Sequence, residues 1–198
     1  MAEDVPPYPR FLTHYYEAAR GPFRSLSALD PDAAEDVLDA IRHAGGVFAS
    51  RRAPDYLAIR RELEQTIRRL FVEQGGQPRR ATPHYMIVGA CPWVTAWYAQ
   101  GCVLCAPLEA FDPAAVSLTY GDSFPAMRYG DGKPYRGKVY RLDDLPDLIA
   151  RYGLPQDWNA DGQHGPDRYI EAQVWDDEPL RALGWLPGSP RNRVAWGN

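Results

Sequence analysis

No apolar run in this sequence approaches the roughly 18 residues that a membrane-crossing helix needs, so neither a helical span nor a membrane partner is expected. Cysteine is scarce. Cys91, Cys102 and Cys105 are an odd set in a chain of 198 residues, which excludes a full disulfide framework and points to reduced thiols in a cytoplasm. The opening MAEDVPPYPRF has neither the basic patch nor the apolar stretch of a secretory signal. Lysine is nearly missing: only Lys133 and Lys138 stand beside 20 arginines. Genomic base composition can produce that bias, so it excludes nothing by itself, although arginine grips phosphate with a planar fork that lysine lacks. Both G-x-G-x-x-G and G-x-x-x-x-G-K-[ST] are absent, and with them the usual dinucleotide and triphosphate cradles. There is no internal repeat and no low-complexity tract.

What is there suits one packed domain over 1–198. Apolar residues make up 45% of the chain, and the Pro-rich and Gly-rich ends, 1–9 and 187–198, read as loose termini. The net charge of −4 is uneven. Arg51–Arg80 carries eight arginines against Asp55, Glu62, Glu64 and Glu73, a balance of about +4, which leaves about −8 elsewhere.

Periodicity predicts a helix over 30–45, with Asp30 as cap, Pro31 in the first turn and a Gly45-Gly46 stop. A second helix is predicted over 54–74, with the stripe Ile59, Leu63, Ile67, Leu70 and Phe71. Phe11–Ala19 reads as a strand running into a short helix. Tyr85–Val88, Val103–Cys105, Val116–Tyr120 and Tyr169–Trp175 read as strands, Trp93–Gln100 and Leu145–Tyr152 as short helices, and 128–138 and 155–166 as polar loops. Helices first and strands later fit an α+β fold better than a doubly wound sheet.

Four patterns carry possible chemistry. Gly121-Asp122-Ser123 with Asp161-Gly-Gln-His164 looks like the blocks of SGNH esterases, in which Ser123 would attack, His164 act as base and Asp161 orient it. Those blocks stand too close together for that family, and the plain alternative is a strand-ending turn and a polar loop. Cys102-Val-Leu-Cys105 fits either a zinc or redox pair or two buried strand cysteines. The arginine helix is either a solvated face, with pairs such as Arg60 and Glu64, or a surface for nucleic-acid or dinucleotide phosphates. In Arg168-Tyr-Ile-Glu171-Ala-Gln173-Val-Trp175, strand alternation puts Glu171 and Gln173 on one side, as either a catalytic carboxylate or the polar outside of a half-exposed strand.

Taken together, Phe11-Leu-Thr-His14-Tyr15 with Phe23-Arg-Ser-Leu26, Ala58-Ile-Arg60-Arg61, Thr82-Pro-His84-Tyr85 with Cys91-Pro92-Trp93, and Arg168–Val174 with Pro179-Leu180 resemble, in order and spacing, the DarT-type ADP-ribosyltransferases, toxins that modify DNA bases. Tyr15-Tyr16 and Gln173 depart from that family's pattern. The resemblance implies an ADP-ribosyltransferase-like split β-sheet with flanking helices, and NAD as substrate. It implies Glu171 as the catalytic carboxylate and His14 on the ribose. Arg60 or Arg61 would sit on the diphosphate, with Tyr85, Tyr15 or Tyr16 stacked on nicotinamide. It further implies a DNA or RNA acceptor and an antitoxin protein partner. Two other readings stand beside it: a non-catalytic nucleic-acid-binding or regulatory domain using Arg51–Arg80, and the esterase built on Ser123 and His164.

Overall fold

The structure is a computed structural model and describes residues 8–186. Its strands are β1 (Phe11–Glu17), β2 (His84–Val88), β3 (Gly101–Pro107), β4 (Val116–Tyr120), β5 (Tyr140–Arg141) and β6 (Ile170–Val174). Its α-helices are α1 (Pro31–Ala44), α2 (Tyr56–Glu73), α3 (Ser123–Arg128), α4 (Leu145–Tyr152), α5 (Pro155–Trp158) and α6 (Glu178–Ala182). The chain after Pro92 forms a 3-10 helix, Pro92–Trp97, where an ordinary helix was expected. α1 starts as its sequence dictates: Asp30 accepts the Ala33 N–H at 3.0 Å and Pro31 fills the first turn. Its buried Ala34 and Leu38 pack on Leu57 of α2. The buried stripe of α2 is apolar at Leu57, Leu63, Ile67 and Phe71, but it also contains Glu64.

The strands form one antiparallel sheet in the order β3-β1-β2-β6-β4-β5. The α+β class is therefore present, with helices flanking the sheet, and a single continuous sheet replaces the expected split one. Its thinnest junction lies between β1 and β2, which share two residue pairs, Leu12↔Val88 and Thr13↔Ile87, against seven between β1 and β3.

Cross-strand partners point to the same side, so the register sorts the faces. Leu12, Ala106, Met86, Val88, Leu118, Ala172 and Val174 share one face and pack with Leu145, Leu148 and Ile149 of α4 and Leu180 of α6 as the main core. The other face is polar and yet buried. Ser117 Oγ donates to Gln173 Oε1 at 2.8 Å, Gln173 Nε2 donates to Thr119 Oγ1 at 3.1 Å, and Trp175 Nε1 donates to Ser117 Oγ at 2.9 Å. Buried polar groups persist when paired in this way. Ile67 and Phe71 of α2 cover Trp175 on this side. β6 is thus buried at every position, rather than half-exposed.

Just before β6, the fully buried Asp167 accepts from Lys133 Nζ at 2.5 Å, Arg136 Nη1 at 2.6 Å and Tyr135 Oη at 2.8 Å. These bonds fasten the 128–138 loop against the sheet. β3 is an edge strand, which corrects the expectation of a buried one: Val103 is 50% exposed and Cys105 is exposed. Cys102 and Cys105 lie three residues apart on a strand and face opposite ways, so they do not converge on a metal or on each other. Tyr8 packs against the main core, so the chain at residue 8 is not loose; 1–7 and 187–198 lie outside the described residues. Among the described residues no helix is long and apolar enough to cross a membrane.

Candidate active site

Glu171 stands in mid-β6 on the polar face, flanked across the ladder by Ile87 of β2 and Thr119 of β4, and only 6% exposed. The turn after β4 delivers its partner. Gly121 adopts a φ of +99°, a left-handed conformation that glycine tolerates, and its N–H bonds to the Tyr169 carbonyl at 2.9 Å. Asp122 then caps α3 by accepting the Phe124 N–H at 2.8 Å. That geometry aims the Ser123 N–H at Glu171 Oε2, 2.8 Å away, with Ser123 Oγ 3.5 Å from Oε1.

Burial pushes the Glu171 pKa well above the ordinary carboxylate range, and the nearby Asp122 carboxylate pushes the same way. The Ser123 N–H and the Arg60 charge pull it back only in part. The buried Tyr169 donates its hydroxyl to Asp122 Oδ2 at 3.1 Å. From α2, Arg60 donates Nη1 to Tyr56 Oη at 2.7 Å, and Nε to Ser27 Oγ at 2.8 Å and Glu64 Oε1 at 3.0 Å. Its guanidinium lies 4.6 Å from the Tyr85 ring centre, and Tyr85 Oη donates to the same Glu64 Oε1 at 2.9 Å. Arg52 lies 4.3 Å over the Tyr56 ring. The Tyr56 ring stacks on Phe124 at 5.2 Å, bridging α2 and α3. Among the described residues the Arg52 guanidinium meets no hydrogen-bond acceptor, which leaves it able to take an anion.

Of the residues singled out from the sequence, Arg60, Tyr85 and Glu171 therefore meet on one side of the sheet. Tyr15 shares that side but serves the packing: it lies with Ile87 and Tyr169, and its hydroxyl accepts the Cys91 N–H at 2.7 Å. Arg61 points away from Glu171 and donates to the Leu29 carbonyl at 3.4 Å.

His14 does not join Glu171 on that side of the sheet. It is one residue from Thr13, whose partner Ile87 pairs in turn with Glu171, so strand alternation turns His14 to the opposite face. Its ring is also fully engaged, bonding the Tyr85 carbonyl through Nδ1 at 2.9 Å and accepting the Phe23 N–H on Nε2 at 2.9 Å. The Phe23 ring stacks on it at 3.9 Å, and Phe23 holds a φ of +56°, rare for a residue with a side chain. Burial lowers the His14 pKa to about 4, so the ring is neutral and Nδ1 carries the proton.

The esterase arrangement is corrected as well. Ser123 Oγ faces Glu171, while His164 is an exposed side chain whose ring contact is Asp161, 3.3 Å away.

Neither family models, nor curated proteins, nor solved structures match this chain.

Asp122, Tyr169, Arg52, Tyr56 and Glu64 belong to the cluster and went unrecognised as site residues. Asp122 sat inside a pattern read as an esterase block, and the Arg60–Glu64 spacing was legible as a pair, though as a solvated one. Part of the positive charge of Arg51–Arg80 is taken up by ion pairs. Arg69 pairs with Glu73, Arg79 with Asp112 and Asp176, and Arg80 with Asp177. Among the described residues no three His, Cys, Asp or Glu side chains converge as a metal would require.

Proposed function

We propose that this chain is an NAD-dependent ADP-ribosyltransferase whose catalytic carboxylate is Glu171, acting in the cytoplasm on a nucleic-acid base. The observation that carries the reading is the buried Glu171 carboxyl, fixed by the Ser123 N–H and set beside Arg60 and Tyr85. The residues present suit the substrate. Among the described residues the Arg52 guanidinium meets no acceptor, and it takes the diphosphate in place of the Arg60 or Arg61 contact expected from sequence. Arg60, saturated by Tyr56, Ser27 and Glu64, acts as a positioning residue that keeps Tyr85 and its own charge near Glu171.

Breaking the nicotinamide–ribose bond sends its electron pair to the departing nicotinamide and leaves positive charge on the ribose carbon. The ionised Glu171 opposes that charge. The attacking base forms the new bond to the same carbon, and its proton passes to Glu171. On this reading the Tyr56–Phe124 stack must part to admit substrate, because Glu171 is closed off beneath α2 and α3. The exposed Phe48, stacked on Trp97 at 4.4 Å beside Arg51, offers an aromatic and cationic surface to an unstacked base. An antitoxin partner belongs to the same proposal.

The decisive assay is nicotinamide release from NAD with DNA or RNA present. Glu171→Gln is expected to lower the rate by roughly 10²–10⁴-fold, and Arg52→Ala to raise KM for NAD. The wild-type rate should climb with pH as Glu171 ionises. No release by the wild-type chain, or full release by Glu171→Gln, ends the proposal.

A further inference from the structure

A second polar feature runs along α2 and borders the Glu171 cluster, with which it shares Glu64. A cleft of about 470 Å³ is lined by Ser27, Arg61, Glu64, Arg68, Arg79 and Arg80 among others, a volume within the range of ligand sites. Among the described residues no hydrogen bond joins this lining directly to Glu171, although Glu64 bonds Arg60 and Tyr85 beside it. Arg79 and Arg80 are neutralised by Asp112, Asp176 and Asp177. Arg61 and Arg68 are not: among the described residues neither meets a carboxylate. Arg61 donates only to the Leu29 carbonyl, and Arg68 to the Arg80 and Pro78 carbonyls at 3.2 and 3.3 Å. They sit seven residues apart on one helix, so about 10 Å of rise separates their Cα atoms on nearly the same side, with Glu64 between them. Two guanidiniums with spare donors, converging on a cleft, match a phosphate.

Glu64 adds a second requirement. Its Oε1 accepts from Ser27, Arg60 and Tyr85, while Oε2 is buried and has no partner. A buried acceptor left unpaired is costly, and a donor from a ligand would relieve it. Glu64 lines the cleft, and Oε2 is the oxygen of its carboxylate left for a ligand. A hydroxyl close to a phosphate is the chemistry that satisfies both demands.

We propose that this cleft binds a sugar phosphate, with the phosphate on Arg61 and Arg68 and a sugar hydroxyl donated to Glu64 Oε2. Titration calorimetry with ribose 5-phosphate, inorganic phosphate and ribose tests it. Ribose 5-phosphate is expected to bind at least tenfold more tightly than phosphate, and ribose alone not at all. The double variant Arg61→Ala/Arg68→Ala should lose both phosphates, since those side chains bond only backbone carbonyls and their removal spares the core. Glu64→Gln should erase the preference for ribose 5-phosphate over phosphate. Should that variant fail to fold, methyl phosphate on the wild-type chain reads the same contact, because it carries no hydroxyl on its carbon and an affinity equal to that of ribose 5-phosphate removes the Glu64 role. Adenosine 5′-monophosphate run alongside separates the sources: tighter binding places the group on a nucleotide, weaker binding on the free sugar phosphate. Glu171→Gln should leave these affinities unchanged, so transfer chemistry and this cleft can fail separately. Binding that survives the double arginine variant, or phosphate binding as tightly as ribose 5-phosphate, overturns the proposal.

Discussion

Glu171 is a carboxyl whose surroundings oppose its ionisation more than they favour it. Burial and the Asp122 carboxylate outweigh the Ser123 N–H and Arg60, and the pKa is raised. Raised in the folded state, it contributes stability that is whole below the unfolded-state value of about 4.3 and fades as pH climbs toward the folded value. Catalysis needs the opposite form, so the chain should lose stability over the same pH range in which it gains rate. Glu171→Gln keeps an oxygen for the Ser123 N–H and removes the charge. Thermal melts are expected to show the variant gaining on the wild-type chain, by a margin that widens as pH climbs above the unfolded-state value. A margin that stays flat, or a variant less stable at the alkaline end, would show that Glu171 ionises freely in the fold.

Elements with a full local signature were legible in the sequence. α1 and α2 fall within two residues of their predicted ends, and β4 and α4 match theirs, because an apolar period, joined in α1 by the Asp30 cap, acts within the segment itself. α3 was missed: it is one and a half turns long with Pro125 inside, and its start depends on the Asp122 cap and the Gly121 turn. β3 is a strand as expected but not a buried one, since an apolar run does not tell which neighbours a strand will have. Its edge position has a measurable outcome. Cys105 is exposed and Cys102 half-buried, while burial pushes the Cys91 thiol up to about 12. A thiol reagent followed by mass spectrometry should label Cys105 first and Cys91 only after unfolding. Early labelling of Cys91 would contradict the packing beneath Tyr15.

At the scale of the molecule, the decisive facts are parities and distant pairs, which no local pattern encodes. Whether His14 and Glu171 share a face depends on the register of two ladders, and a shift of one residue reverses the answer. Arg79 reaches Asp176 and Arg80 reaches Asp177, each 97 positions along the chain, which is why part of a locally basic stretch ends neutralised. Three side chains of the candidate site were readable: Glu171, Arg60 and Tyr85. The remainder arrives from the turn at Gly121 and from Arg52, which signals nothing until it lies over Tyr56.

The junction of β1 with β2 is sealed by an imidazole. After two residue pairs the strands part, and His14 spans the gap between the Tyr85 carbonyl and the Phe23 N–H. Acid puts a second hydrogen on the ring, and Nε2–H then confronts the Phe23 N–H, donor against donor. With the folded pKa lowered to about 4, stability from the neutral ring is whole above the ordinary 6.5 and falls by about 3 kcal/mol as pH drops toward 4. Hydrogen exchange near pH 4.5 is expected to expose the Phe23 and β1 amides before those of β4, whereas simultaneous loss across all strands would count against it. Mild acid would then unzip the N-terminal ribbon first and leave the half that carries Glu171 until last.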